Sequence, residues 1–101
     1  VRCYTVDLDG RGVAAGGPVL ATAPVGFFDG LRVDVHGHLW LGAGDGVHCI
    51  GADGTPLGRI VVPEVVANVC FGGIKRNRLF ICGTTSLYSI YLNTAGATWP
   101  A

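Results

Sequence analysis

Leu31-Arg32-Val33-Asp34-Val35-His36-Gly37-His38-Leu39-Trp40-Leu41 alternates apolar and polar side chains up to His36, turns at a glycine and leads into the apolar run Leu39-Trp40-Leu41. Leu31, Val33 and Val35 fall on one face and Arg32 and Asp34 on the other, the period of a half-buried strand. The pattern continues downstream. Gly44-Asp45-Gly46 leads into Val47-His48-Cys49-Ile50, and Ala52-Asp53-Gly54-Thr55 leads into Leu57 to Val62. Four strands joined by hairpin turns of glycine and aspartate are expected.

The unit then recurs. Val69-Cys70-Phe71 matches Leu31-Arg32-Val33 at a spacing of 38 residues; Leu79-Phe80-Ile81 and Leu87-Tyr88-Ser89-Ile90 match Leu39-Trp40-Leu41 and Val47-His48-Cys49-Ile50 at 40. The two extra residues fall in the turn Gly72 to Arg78, where insertions are tolerated. Upstream, Val1-Arg2-Cys3-Tyr4 with Asp7 to Gly10 echoes the third strand and its turn, and Pro18 to Ala21 echoes the fourth. No segment has a sustained helical period. Four antiparallel strands recurring at about forty residues are the signature of a propeller blade. The expected fold is all-β: a β-propeller fragment of about two blades of four-stranded antiparallel sheet. Residues 1–24 end one blade, 25–64 form a complete one, and 65–101 form most of a last.

Composition agrees with an incomplete unit. Half the residues are apolar and 14% charged, which excludes a disordered tail and suggests more surface to be covered than a small globule can cover. At ~25 cal/mol per Å², several hundred Å² of bare blade face forgoes on the order of 10 kcal/mol, comparable with a domain's whole stability. The chain has no methionine and starts at Val1 within a strand-like run, so the sequence reads as a fragment needing company. Seven basic residues balance seven acidic ones, which argues against nucleic acid or an anionic membrane as partner. Pro63 and Glu64 interrupt the longest apolar run, and no signal peptide is evident. Cys3, Cys49, Cys70 and Cys82 lack metal or redox spacing and read as buried thiols, which favours a reducing cytoplasm.

Phe28-Asp29-Gly30-Leu31-Arg32-Val33-Asp34 and Gly37-His38-Leu39-Trp40 closely resemble the Pro-Asp-Gly-Leu-x-x-Asp and Gly-x-Leu-Trp pattern of the gluconolactonase/regucalcin family, six-bladed propeller lactonases that include luciferin-regenerating enzyme. Gly46-Val47-His48, Asp53-Gly54, Leu57-Gly58, Pro63, Asn68, Phe71-Gly72-Gly73, Leu79-Phe80-Ile81 and Ser86-Leu87-Tyr88 follow in the family's order over nearly the whole chain. The resemblance implies one divalent metal ion at the end of the central channel, calcium first, with zinc, magnesium and manganese as the other candidates. It implies ligands from a glutamate near the N-terminus, an asparagine in a middle blade and the aspartate of the Asp-Gly motif. Asp29 alone carries over, as metal ligand and as catalytic general base in the hydrolysis of a sugar lactone or related lactone. One carboxylate does not hold such an ion, since calcium takes about six to eight oxygens, so an isolated chain of this length is expected to be inactive. Phe28 stands where the family usually has proline, and its ring is expected to narrow the pocket or move Asp29.

The residues alone leave other readings open. Asp29-Gly30 by itself is a strong hairpin signal. His36 and His38 read as solvent-exposed turn histidines, His48 as a packed or edge histidine, Lys75 to Arg78 as a solvated basic loop and Trp40 as inter-blade packing. Asp7-Leu8-Asp9-Gly10 lacks the closing glutamate of a calcium loop. The alternative to an enzyme is a non-catalytic binding or structural propeller piece, completed by the missing blades of a parent chain or by self-association as a trimer.

Overall fold

A computed structural model describes residues 1–6 and 13–98. These residues form nine strands in three antiparallel sheets and no helix. Strands β1 (Arg2–Val6) and β2 (Val13–Val19) make a pair. A four-stranded meander follows, with β3 (Leu31–Val33), β4 (Leu39–Ala43), β5 (Gly46–Ile50) and β6 (Pro56–Val61) in chain order, and then a three-stranded one with β7 (Val66–Gly72), β8 (Arg78–Gly83) and β9 (Leu87–Tyr91). This is the all-β propeller-blade architecture the repeat implies. No helix among the described residues is long and apolar enough to cross a membrane.

Register explains the change in repeat spacing. Leu31 lies opposite Leu41 and Val33 opposite Leu39; the equivalent pairs are Val69 with Ile81 and Phe71 with Leu79. The later hairpin extends by one more pair, Gly72 with Arg78, so the added residues lengthen its end and leave the ladder intact. Arg78 is therefore the first residue of a strand and not part of a solvated loop. Its guanidinium lies 5.1 Å from the ring centres of Phe80 and Tyr91, and it donates to the Ser89 hydroxyl. Strand β2 also differs from expectation, running from Val13 rather than Pro18. Gly16 and Gly17 lie within it at φ 109° and 99°, and glycines leave no alternating pattern to read. The Asp7 to Gly10 turn and its calcium-loop reading fall outside the described residues.

The core lies between the second and third sheets. Val47 and Val62 from one side meet Val66, Val69, Phe71, Leu79 and Ile81 from the other, with Trp40 and Ile60 packed against them. Trp40 meets the Phe71 ring edge to face at 6.4 Å, the inter-sheet packing expected of it. Alternation along β7 and β8 turns Cys70 and Cys82 the opposite way, so both are exposed, as is Cys3; of the four thiols only Cys49 is buried. The buried-thiol expectation is thus corrected for three of them: an apolar neighbourhood in sequence includes both faces of a strand.

A larger correction concerns β3. Val33 and Val35 are exposed, and Asp34 is the buried side chain, 1% accessible. Its Oδ1 accepts from the amides of His36 (2.8 Å) and His38 (3.0 Å), and its Oδ2 from the Trp40 indole (3.0 Å). The turn between β3 and β4 therefore folds around a carboxylate, and Trp40 is fixed by the same group. Residues 95–97 close β3 from its other side, through Val35 N to Ala95 O and Ala97 N to Val33 O, both 2.9 Å. Burial works to raise the Asp34 carboxyl, but the Trp40, His38 and His36 donors prevail and hold it below its ordinary value.

A depressed folded-state value means that this stabilisation is complete above the unfolded carboxyl's value, about pH 3.9, and is lost as pH falls through the folded one. Asp34→Ala should destabilise the fold by about 3 kcal/mol in urea unfolding, because it leaves the Trp40 and turn N–H groups unpaired. Asp34→Asn should lose less at neutral pH and flatten the acid limb of the stability curve.

Candidate functional site

Residues 25–30 run along the end of β4 before entering β3. Gly44 N donates to Val25 O (3.2 Å), Asp29 N to Gly42 O (2.9 Å), Gly42 N to Gly30 O (3.0 Å) and Gly30 N to Ala67 O (2.9 Å). Asp29-Gly30 is accordingly not a hairpin corner. It is a seam between β4 of one sheet and β7 of the next, and its backbone is bonded to both.

Glycine is needed here for space. A Cβ at Gly30 would collide with the Asn68 amide oxygen and lie 2.8 Å from the Asn68 Cα. At Gly42 a Cβ would meet the Val66 carbonyl oxygen at 2.8 Å. The Asp29-Gly30 segment and β4 thus meet β7 at close range, and Asp29 stands beside that contact.

The Asp29 side chain is exposed and lies on the wall of a pocket of about 320 Å³ between the first and second sheets. Val1, Ala23, Phe28, Leu31 and Leu41 supply most of the remaining wall. Phe28 is half-buried, with its ring 5.7 Å from that of His48 in an edge-on arrangement. His48 Nε2 donates to Asp45 Oδ1 at 2.7 Å, and Arg59 reaches Asp45 Oδ2 at 2.6 Å. The His48 hydrogen bond holds the Asp45 carboxyl below its usual range, with Arg59 assisting against the cost of desolvation. His48 is a packed histidine, as expected, and it backs the aromatic wall next to Asp29.

His36 and His38 lie at the other end of β3, in the turn held by Asp34, with ring centres 6.0 Å apart. His36 is exposed; His38 is partly shielded, its Nδ1 3.5 Å from Asp34 Oδ2. Among the described residues, no group of three or more His, Cys, Asp and Glu side chains is placed to hold a metal ion. The structure therefore brings no such partner set to Asp29. Two supports carry roles the sequence does not show: Asn68, a member of the motif series, crowds Gly30, and Asp45, a turn residue by its neighbours, holds His48 and Arg59.

The SMP-30/Gluconolactonase/LRE-like region matches residues 1–85. The chain belongs to this family. Pentonolactonase XacC of Haloferax volcanii is 41% identical over 75 residues, which are 70% of this chain and 22% of that protein. A solved gluconolactonase-family structure superimposes with a TM-score of 0.88 at 38% identity, over 96% of this chain and 33% of the other. Regucalcin of Agrobacterium tumefaciens, a calcium-binding protein, superimposes with a TM-score of 0.69 at 26% identity over 79% of this chain and 29% of its own. The chain thus spans about a fifth to a third of the length of these relatives.

Gly30→Ala should cost about 1–3 kcal/mol by overpacking a backbone contact. Chemical denaturation should show part of that loss recovered in Gly30→Ala/Asn68→Gly, which removes the amide the new methyl strikes while leaving the Asn68 Cα position crowded.

Proposed function

We propose that residues 1–101 form the Asp-Gly edge of a lactone hydrolase's active site, with the three sheets as the end of one blade, a full blade and most of a third. The observation that carries this reading is the placement of Asp29: an exposed carboxylate on a pocket wall, its backbone fixed by two neighbouring strands. XacC, a pentonolactonase by name, supports the reaction class. The substrate is a lactone of small-molecule size.

Asp29 acts as general base. It takes a proton from water, the water oxygen adds to the lactone carbonyl, the ring C–O bond breaks, and the proton held by Asp29 passes to the leaving ring oxygen, which becomes the hydroxyl of a hydroxy acid. The described residues fit one ligand of a divalent cation and do not complete a site. The other ligands are proposed to come from outside residues 1–101, with calcium first among the ions given the regucalcin relative. Such an ion would supply positive charge to a developing oxyanion.

Further blades are the proposed partners. Phe27, Val61, Leu87 and Tyr91 are each more than two-thirds exposed, an apolar surface that neighbouring sheets would cover. The free, exposed Cys3, Cys70 and Cys82 suit a reducing compartment, so a cytoplasmic setting belongs to the proposal.

The test is hydrolysis of a lactone panel by the intact polypeptide in which residues 1–101 occur, followed by acid release, with calcium binding measured by calorimetry. Asp29→Asn should lower kcat by about 10²–10⁴-fold and weaken calcium binding. Unchanged kcat in a folded Asp29→Asn protein would remove Asp29 from the chemistry and, with it, this reading.

A further inference from the structure

The turn that Asp34 closes carries two imidazoles on a fixed backbone. Asp34 Oδ1 accepts from the amides of both His36 and His38, and Gly37 between them takes a φ of 82°. The ring centres of the two histidines are 6.0 Å apart. Two imidazoles on one tetrahedral ion, each with a metal–nitrogen bond of about 2.0–2.1 Å, have ring centres roughly 5 Å apart. Rotation of the exposed His36 side chain closes that gap. His38 Nδ1 lies 3.5 Å from Asp34 Oδ2, and a carboxylate behind one ring nitrogen is the arrangement that leaves the other free to ligate.

Two further observations point to a cation. Both histidines line two cavities, one of about 380 Å³ with Asp34, Trp40 and Thr94 and one of about 470 Å³ with Asp53. The Thr94 hydroxyl oxygen is buried and has no hydrogen-bond partner among the described residues, so it is placed to accept from a metal-bound water. The charge is also of the right sign. Among the described residues, no lysine or arginine lines either cavity, and the Thr55 backbone amide holds the Asp53 carboxyl below its ordinary value, hence ionised at neutral pH.

We propose that His36 and His38 bind a divalent transition-metal ion, zinc, copper or nickel, at the end of β3 away from Asp29. Imidazole suits these ions, whereas calcium and magnesium take oxygen ligands, so the site differs in chemistry as well as in place from the one proposed at Asp29. With two protein ligands and water in the remaining positions, the ion is exchangeable, unlike a closed four-ligand structural zinc. Asp34 is the positioning residue, since it holds both turn amides and backs the His38 ring. The ligands and Asp34 belong to the four-stranded sheet and its turn, so the site is complete without a neighbouring blade.

The experiment titrates zinc chloride into the intact polypeptide by calorimetry, in wild type, His36→Ala, His38→Ala, Asp34→Asn and Asp29→Asn, with copper(II) electron paramagnetic resonance on the same proteins. Wild type should bind an equivalent of zinc that is lost in His36→Ala and in His38→Ala and kept in Asp29→Asn. Asp34→Asn, if folded, should weaken it by about 10–100-fold. The copper spectrum should show nitrogen coupling from two imidazoles in wild type and from one in either histidine variant, both of which change a side chain outside the core and should fold. Zinc binding equal to wild type in both histidine variants, binding lost only in Asp29→Asn, or no zinc binding by wild type overturns the proposal. The lactonase reading stands or falls separately, on hydrolysis by Asp29→Asn.

Discussion

The backbone contact of Gly30 and Gly42 with β7 of the neighbouring sheet is the constraint on which the rest of the structure depends. Gly30 donates to Ala67, Gly42 to Gly30, and Asp29 to Gly42, and neither glycine has room for a methyl group. This proximity sets the spacing at which Val47 and Val62 reach Val69, Leu79 and Ile81. It also sets where a carboxylate attached to that seam must stand. Core packing and the position of Asp29 are two results of the same approach, so a change that pushes the sheets apart is felt at both.

Asp34 performs the matching task at the other end of β3. Burying a carboxylate is costly unless it is well hydrogen-bonded, and here two turn amides and an indole N–H satisfy it. The group therefore closes a turn and orients Trp40 against Phe71 at once. Between them, the glycine seam and the buried aspartate locate a strand of only three residues, Leu31–Val33, which hydrogen bonding to β4 alone would hold weakly. The division of labour has a functional side: one aspartate is saturated and structural, while the other, five residues earlier, is exposed on a pocket wall.

Much of this was legible in the chain itself. Alternation and glycine-aspartate turns determined the strands of the second sheet, because a period of two and a tight turn are local properties, and the repeat carried them to the third. The repeat spacing determined which strands correspond and placed the two extra residues at the hairpin end, since a ladder tolerates growth only there. The ordered motif series around Asp29-Gly30 determined the family. What tertiary structure decided was which way each face turns and what each polar group meets. Alternation cannot show that a carboxylate will be the buried residue of a short strand, so the burial of Asp34 and the exposure of Val33 were not legible; nor was the exposure of Cys70 and Cys82. Whether Asp29-Gly30 is a corner or a seam was likewise undecidable locally, because the partner that excludes a side chain at Gly30 is Asn68, 38 residues away and in the next sheet.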